Sequence, residues 1–305
     1  MIICWQNEHP LRRLFGPALM LVLTVNLTAA ERFTVESARV AAARGNAQAR
    51  YFLGKCYANG KRVPQDYAKA TEYLRKSAEK GCALAQNDLG AFYAKGLGVK
   101  QDYAEAAKWY RKAAEKGDKL AQYSLGRMYW LGRGVATNTQ ESLKWLSKAA
   151  KQKQPDAMQF LGGIYLNGGH GLNANGLRAF HWFLEAAGQG SAGALYCLGT
   201  LFEAGNGVPR NPGLAINCYL RAAEKWDSQA MMRLSELYMP GSGGEADVVE
   251  ACKWLHLASR DRYGNANYLL NRLAQNGSLT ARQYEEASRR ADDFERAFGK
   301  QPARE

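Results

Sequence analysis

Apolar and small residues return along this chain at helical spacing, and the whole pattern returns every 36 residues. In Gly81–Lys116, the residues Ala85, Leu89 and Tyr93 fall four apart, while Ala106, Trp109, Tyr110, Ala113 and Ala114 fall three or four apart. Two amphipathic helices are predicted, separated by the breaker cluster Gly96-Leu97-Gly98-Val99. Asp102 stands where the second helix needs an N-cap, because its carboxylate can accept from the free amides of a first turn. Asp66, Asn138, Asn175, Asn211 and Asp247 hold the same place in the other units. Gly54, Gly90, Gly126, Gly162 and Gly199 recur in phase inside the first helix, each one place after a leucine. Ser235 and Asn271 hold that place in the last two units. A fixed period of this size marks an architecture of stacked repeats.

The phase predicts first helices from about residues 46, 82, 118, 155, 191, 227 and 264, and second helices from about 67, 103, 139, 176, 212 and 248. No strand-like alternation competes, so the fold class is all-α. Residues 31–45 are expected to form an N-terminal capping helix, with Thr34–Arg44 as its body. Residues 46–279 hold about six full repeats plus a partial one, and 280–305 a polar capping helix and tail, as a solenoid's ends require. One extra residue falls in Asn167–Gly171, an expected inter-helix loop. No second domain and no linker are visible. A glycine inside a helix costs about 0.5–1 kcal/mol against alanine, so close approach of a neighbouring helix backbone is the expected compensation.

The motif A-x-x-x-L-G-x-x-Y, then G-x-G-V, then Asp or Asn, then an alanine-rich second helix, is carried by Ala85, Leu89, Gly90, Tyr93, Gly96, Gly98, Val99, Asp102, Ala106, Tyr110, Ala113, Ala114 and Gly117. It resembles the Sel-one-like repeats of the tetratricopeptide-like group, over Phe33 to Phe298. The unit at 227–263 departs most, with Ser235 for glycine and Pro240-Gly241-Ser242-Gly243-Gly244 for the usual turn. The resemblance implies a right-handed α-solenoid and a non-enzymatic adaptor that holds a protein or peptide partner, in bacteria often exported. Some relatives are described as penicillin-binding or weakly β-lactamase-like. A cell-wall or glycan-associated hydrolase is therefore the alternative.

Arg12 and Arg13 precede the apolar run Leu14–Leu27 and the small-residue site Thr28-Ala29-Ala30. That is the outline of a signal peptide over residues 1–30, which places the chain in the periplasm or outside the cell. The run contains Pro17 and is shorter than the ~20 residues a spanning helix wants, so a membrane role is expected only if the leader stays uncleaved. Five cysteines remain beyond it: Cys56, Cys82, Cys197, Cys218 and Cys252. They read as small buried apolar residues, with Cys197–Cys218 the most plausible single bridge. The net charge is +13. Lysines at second-helix ends (Lys76, Lys80, Lys112, Lys116, Lys148, Lys151) complement the helix dipole and explain much of it. Attraction to an acidic partner is the other reading. Nucleic acid is not expected, because no binding motif is present.

Chemistry is sparse. Gly188-Gln189-Gly190-Ser191-Ala192-Gly193 matches a dinucleotide fingerprint but follows a helix, not a strand. Ser77-Ala78-Glu79-Lys80 matches S-x-x-K, yet Ser77 replaces a packing alanine, and no S-D-N or K-T-G accompanies it. His170, His181 and His256 are scattered, so no catalytic, metal or cofactor site is expected. A docking face is the remaining candidate. With the alanine of the first helix as place 0, places 0, 4 and 8 form the buried stripe, and the opposite face falls at places 2, 6 and 9. Tyr51, Lys55, Tyr123, Arg127, Trp130 and Tyr196 occupy it, with Met232, Asn87, Gln159 and Glu203. They are expected either to line a concave groove or to pack against neighbouring first helices.

Overall fold

The computed structural model describes residues 33–240, 246–260, 264–275 and 277–299. The predicted leader lies outside the described residues, as do Gly241–Gly244 and the last six residues. Among the described residues every element is a helix, apart from an isolated bridge between Gly169 and Leu172. The chain divides into two compact units, Met1–Asp118 and Lys119–Glu305, although the repeat phase runs through that boundary without a break.

The first unit contains α1 (Val35–Ala43), α2 (Ala47–Asn59), α3 (Tyr67–Glu79), α4 (Ala83–Lys95) and α5 (Tyr103–Glu115). The second contains α6 (Lys119–Leu131), α7 (Thr139–Lys151), α8 (Pro155–Asn167), α9 (Gly176–Gly188), α10 (Ala192–Ala204), α11 (Pro212–Ala223), α12 (Ser228–Tyr238), α13 (Val248–Arg260), α14 (Ala266–Gln275) and α15 (Ala281–Phe298). Helices pair as hairpins within each unit: α2 with α3, α4 with α5, α6 with α7, α8 with α9, α10 with α11 and α12 with α13. The helix α1 packs on α2, and α15 packs on α13.

The caps explain why the second helices begin where they do. Asp66 accepts from the amide of Lys69, Asp102 from Ala104 and Glu105, Asn138 from Glu141, Asn175 from Arg178, Asn211 from Leu214 and Asp247 from Glu250, each within 3.0 Å. Each satisfies an amide that the helix itself cannot. Several first helices stop at a left-handed glycine, with φ 64° at Gly60 and 71° at Gly96 and Gly205.

Places 0 and 4 are buried throughout, as in Ala85 and Leu89, but the tyrosine at place 8 is only half-buried. Place 7 carries the core instead: Cys56, Phe92, Met128, Ile164 and Leu201 are all buried. Tyr57, Tyr93 and Tyr165 sit under cations of the second helices, with Arg75 donating to the Tyr93 hydroxyl at 2.8 Å.

The in-phase glycines face chiefly side chains, although a Cβ at Gly126 would also lie 3.1 Å from the Leu146 backbone nitrogen and one at Gly54 3.4 Å from the Ala70 carbonyl oxygen. A Cβ at Gly90 would lie 2.9 Å from the Tyr110 ring, at Gly162 2.5 Å from Phe183, and at Gly199 2.4 Å from Tyr219. Each glycine is therefore the notch for one large residue of the second helix. Backbone-to-backbone approach occurs in the turns: a Cβ at Gly98 would lie 2.2 Å from the Tyr67 carbonyl oxygen, and one at Gly207 2.1 Å from the Gly176 carbonyl carbon. Each of these turns thus sits on the start of the preceding second helix. The first repeat carries Arg62 at that turn place, at φ 70°. Its guanidinium donates to the Phe33 carbonyl at 3.1 Å and lies over the Phe52 ring.

Candidate functional site

The six predicted face residues are all half-buried, and each is engaged with other side chains. In the first unit, Lys55 pairs with Asp88 of α4 at 3.0 Å, and the Tyr51 hydroxyl donates to the same carboxylate at 3.4 Å. Burial, then the Asp88 charge, pushes the Tyr51 phenol above its usual range. In the second unit, Tyr123 meets Phe160 of α8 edge to face at 6.3 Å. The Arg127 guanidinium lies over both rings, at 5.3 and 5.7 Å from their centroids. Trp130 meets the His170 ring edge-on at 4.7 Å. Tyr196 tilts against Tyr219 at 5.6 Å.

The neighbouring face residues follow the same rule. Ser191 donates to Gln159 at 2.7 Å. Glu203 accepts from Tyr219 at 2.8 Å and from Arg233 Nε of α12 at 3.1 Å. The Arg233 bond holds the Glu203 carboxyl below its usual range, against the effect of burial. Contacts therefore run from places 2, 6 and 9 of one first helix to place 3 of the next, where Asp88, Phe160 and Arg233 stand. Place 3 was not among the predicted positions. Opposite charges one repeat apart, Lys55 with Asp88 and Glu203 with Arg233, are the sequence signal that marks it.

The remaining candidates resolve locally. Ser77 is fully buried and donates to the Ala47 carbonyl at 2.7 Å, so its hydroxyl does not meet solvent and the hydrolase alternative has no support. Ser191 of the glycine-rich match caps α10, accepting from Ala194 at 3.2 Å. The cysteines of the described residues are free thiols, with Cys56, Cys218 and Cys252 buried as read from the sequence and Cys82 and Cys197 only half-buried. Burial raises Cys197 and Cys252 to about 11, which leaves both poor nucleophiles at neutral pH. Among the described residues, no three His, Cys, Asp or Glu side chains gather as a metal site, and no helix is long and apolar enough to cross a membrane. A surface depression of about 630 Å³ lies beside Val40 and Arg44, and one of about 500 Å³ beside Gln86 and Trp109. Neither contains a face residue.

This geometry defines an all-α protein of helical-hairpin repeats, capped in phase, in which a second helix packs on the next first helix within each unit and side chains such as Lys55 and Asp88 join successive first helices. Six matches to the Sel1 repeat cover residues 47–82, 83–118, 119–153, 155–191, 192–225 and 228–263. The chain belongs to the Sel1 repeat family. It is similar to a protective antigen of uropathogenic Escherichia coli strains that displays an SLR fold, with 30% identity and a TM-score of 0.71 over 88% of this chain and 59% of the antigen. It is also similar to a Sel1 repeat protein from Oxalobacter formigenes, with 28% identity and a TM-score of 0.67 over 75% of this chain and 100% of that one. Among curated proteins, chitin synthase regulatory factor 3 of Schizosaccharomyces pombe is 43% identical over 75 residues. That match spans 24% of this chain and only 8% of the fission yeast protein. Proteins built from these repeats are typically protein-interaction scaffolds and generally non-catalytic.

Proposed function

We propose that this chain is an exported, non-enzymatic adaptor that holds a protein or peptide segment on the face that places 2, 3, 6 and 9 of the first helices form within a unit. One observation carries the reading. The alanine and leucine places hardly vary between repeats, whereas this face changes in every repeat and collects Tyr51, Tyr123, Arg127, Trp130 and Tyr196. Half-buried tyrosine, tryptophan and arginine are the types that anchor interfaces, since they offer large contact area at small entropic cost. Export rests on the leader-like run before Ala30, and membrane attachment would follow only from an uncleaved leader.

Tyr123 and Trp130 also pack against Phe160 and His170, so alanine there would mix binding with stability. Site-specific photocrosslinking avoids this. A benzophenone side chain at Ser124 or Thr200, on first helices, should yield one discrete adduct in cells. The same group at Lys108 or Leu184, on exposed second-helix positions, should yield none. Adducts from the second-helix positions alone would end the proposal. Amino-terminal sequencing of the mature chain should read from Glu31, and an intact Met1 would replace the released adaptor with one tethered by its uncleaved leader.

A further inference from the structure

Four cations stand on the first-helix face at places 2, 3, 6 and 9: Lys55, Arg127, Arg233 and, on α14, Arg272, which is exposed and lies over no ring among the described residues. Two are neutralised within the chain, Lys55 by Asp88 at 3.0 Å and Arg233 by Glu203 and Glu236. Arg127 differs. Among the described residues it has no carboxylate at ion-pair distance. Its guanidinium lies over the Tyr123 and Phe160 rings, and its Nε is buried without a hydrogen-bond partner. The nearby Asp156 is held by Gln154 at 3.0 Å instead. A guanidinium already seated on two rings loses little freedom on binding. Its partial desolvation strengthens any charge it meets. Planar, forked donors match a carboxylate better than any other common protein group. The surplus of +13 adds long-range attraction of the same sign.

We infer that Arg127, seated on Tyr123 and Phe160, receives the carboxylate of an aspartate or glutamate side chain in the partner segment. This rests on the adaptor reading and specifies what its second unit selects.

Short random peptides, displayed with a blocked carboxyl terminus, would be selected on the immobilised full-length chain. Only side-chain carboxylates can then answer. The wild type should enrich Asp and Glu at one register position, and Arg127→Glu should enrich Lys or Arg there. For a selected peptide made synthetically with an amidated terminus, Glu→Gln in the peptide should weaken binding about 10–100-fold, the worth of one charge-assisted contact. That arm leaves the protein untouched, so misfolding of a variant cannot imitate it. Arg127→Gln should remove the same preference while circular dichroism stays helical. Peptides that bind the first-helix face, compete with the Ser124 crosslink and ignore both charge changes would sink the Arg127 assignment and leave the adaptor standing. Peptides that bind elsewhere, or none selected at all, would sink both.

Discussion

The two compact units are made of the same brick and finished differently. In Met1–Asp118, place 1 of the first helix is polar and ties backward to a carbonyl: Arg50 donates to Ala42 at 3.1 Å and Gln86 to Ala78 at 3.0 Å. In Lys119–Glu305 the same place starts with Gln122 and continues as Met158, Leu195 and Met231, all buried. The ends differ as well. The helix α1 buries only Ala38 and Ala42. The helix α15 brings Phe294 to within 5.2 Å of the Trp254 ring centroid and links Arg260 to Asp292 and Glu295. Trp226 adopts φ 62° at the place held by Gly81, Gly117 and Gly190 and, at φ 56°, by Lys153, and its ring meets Phe294 at 6.2 Å. At place 1, directional bonds from Arg50 and Gln86 therefore fix helix position in the first unit, where Met158, Leu195 and Met231 do so by apolar burial in the second.

The largest test of that contrast is Trp254→Ala. Removing a buried indole typically costs about 3–5 kcal/mol. Hydrogen exchange should speed up across α13 and α15 while α2 to α5 keep their protection. Equal acceleration in both units would break the division.

A smaller effect compares two turns. Gly98→Ala places a methyl on the Tyr67 backbone and should cost about 1–3 kcal/mol by overpacking. Arg62→Gly, at the same turn place, relieves a left-handed residue worth about 1–2 kcal/mol and gives up the Phe33 bond, so the two should nearly cancel in urea titration. Equal losses at both positions would refute the assignment of backbone contact to Gly98 alone.

The smallest concerns pH. His256 is buried against the Tyr284 ring, and burial, then Arg260, lowers its pKa below 6.5, with Asp292 opposing. The unfolded chain therefore takes up the proton first. His256 favours folding fully above about pH 6.5, and that contribution fades as pH falls through the folded value. Thermal melts should drop between neutral and mildly acid pH, and His256→Gln should flatten that slope. Glu203 gives a second, lower window: its depressed pKa favours folding above about 4.5 and is lost below it. An unchanged slope in His256→Gln would remove the histidine from the account.

Much of the helix map was legible because caps are local chemistry. Asp102 caps its helix whatever surrounds it, and the phase then locates every other unit. The atoms opposite a buried glycine were not legible, because they depend on which rotamer fills the space between two helices. Phe183 and a backbone carbonyl would both demand glycine at Gly162, and sequence cannot separate them. Tyr93 belongs to the apolar stripe by spacing yet stays half-buried, because Arg75 of the preceding second helix, which the spacing does not show, draws its hydroxyl to the surface. The phase places Tyr51, Lys55, Tyr123, Arg127, Trp130 and Tyr196 on one stripe, but their partners one repeat on are not legible, since pairing across a stack depends on its pitch. The boundary at Asp118 leaves no mark, because Gly117 and Asp118 sit in ordinary phase.

Arg62 also governs how such a chain can grow. Gly98 and Gly207 are saddles that let a turn ride on the helix before it, whereas Arg62 puts a side chain where that saddle would be. A duplicated unit spliced between Gly81 and Asp118 would find both of its edges ready. One grafted ahead of Ala47 in place of α1 would meet a closed door, unless the arginine were first exchanged for glycine.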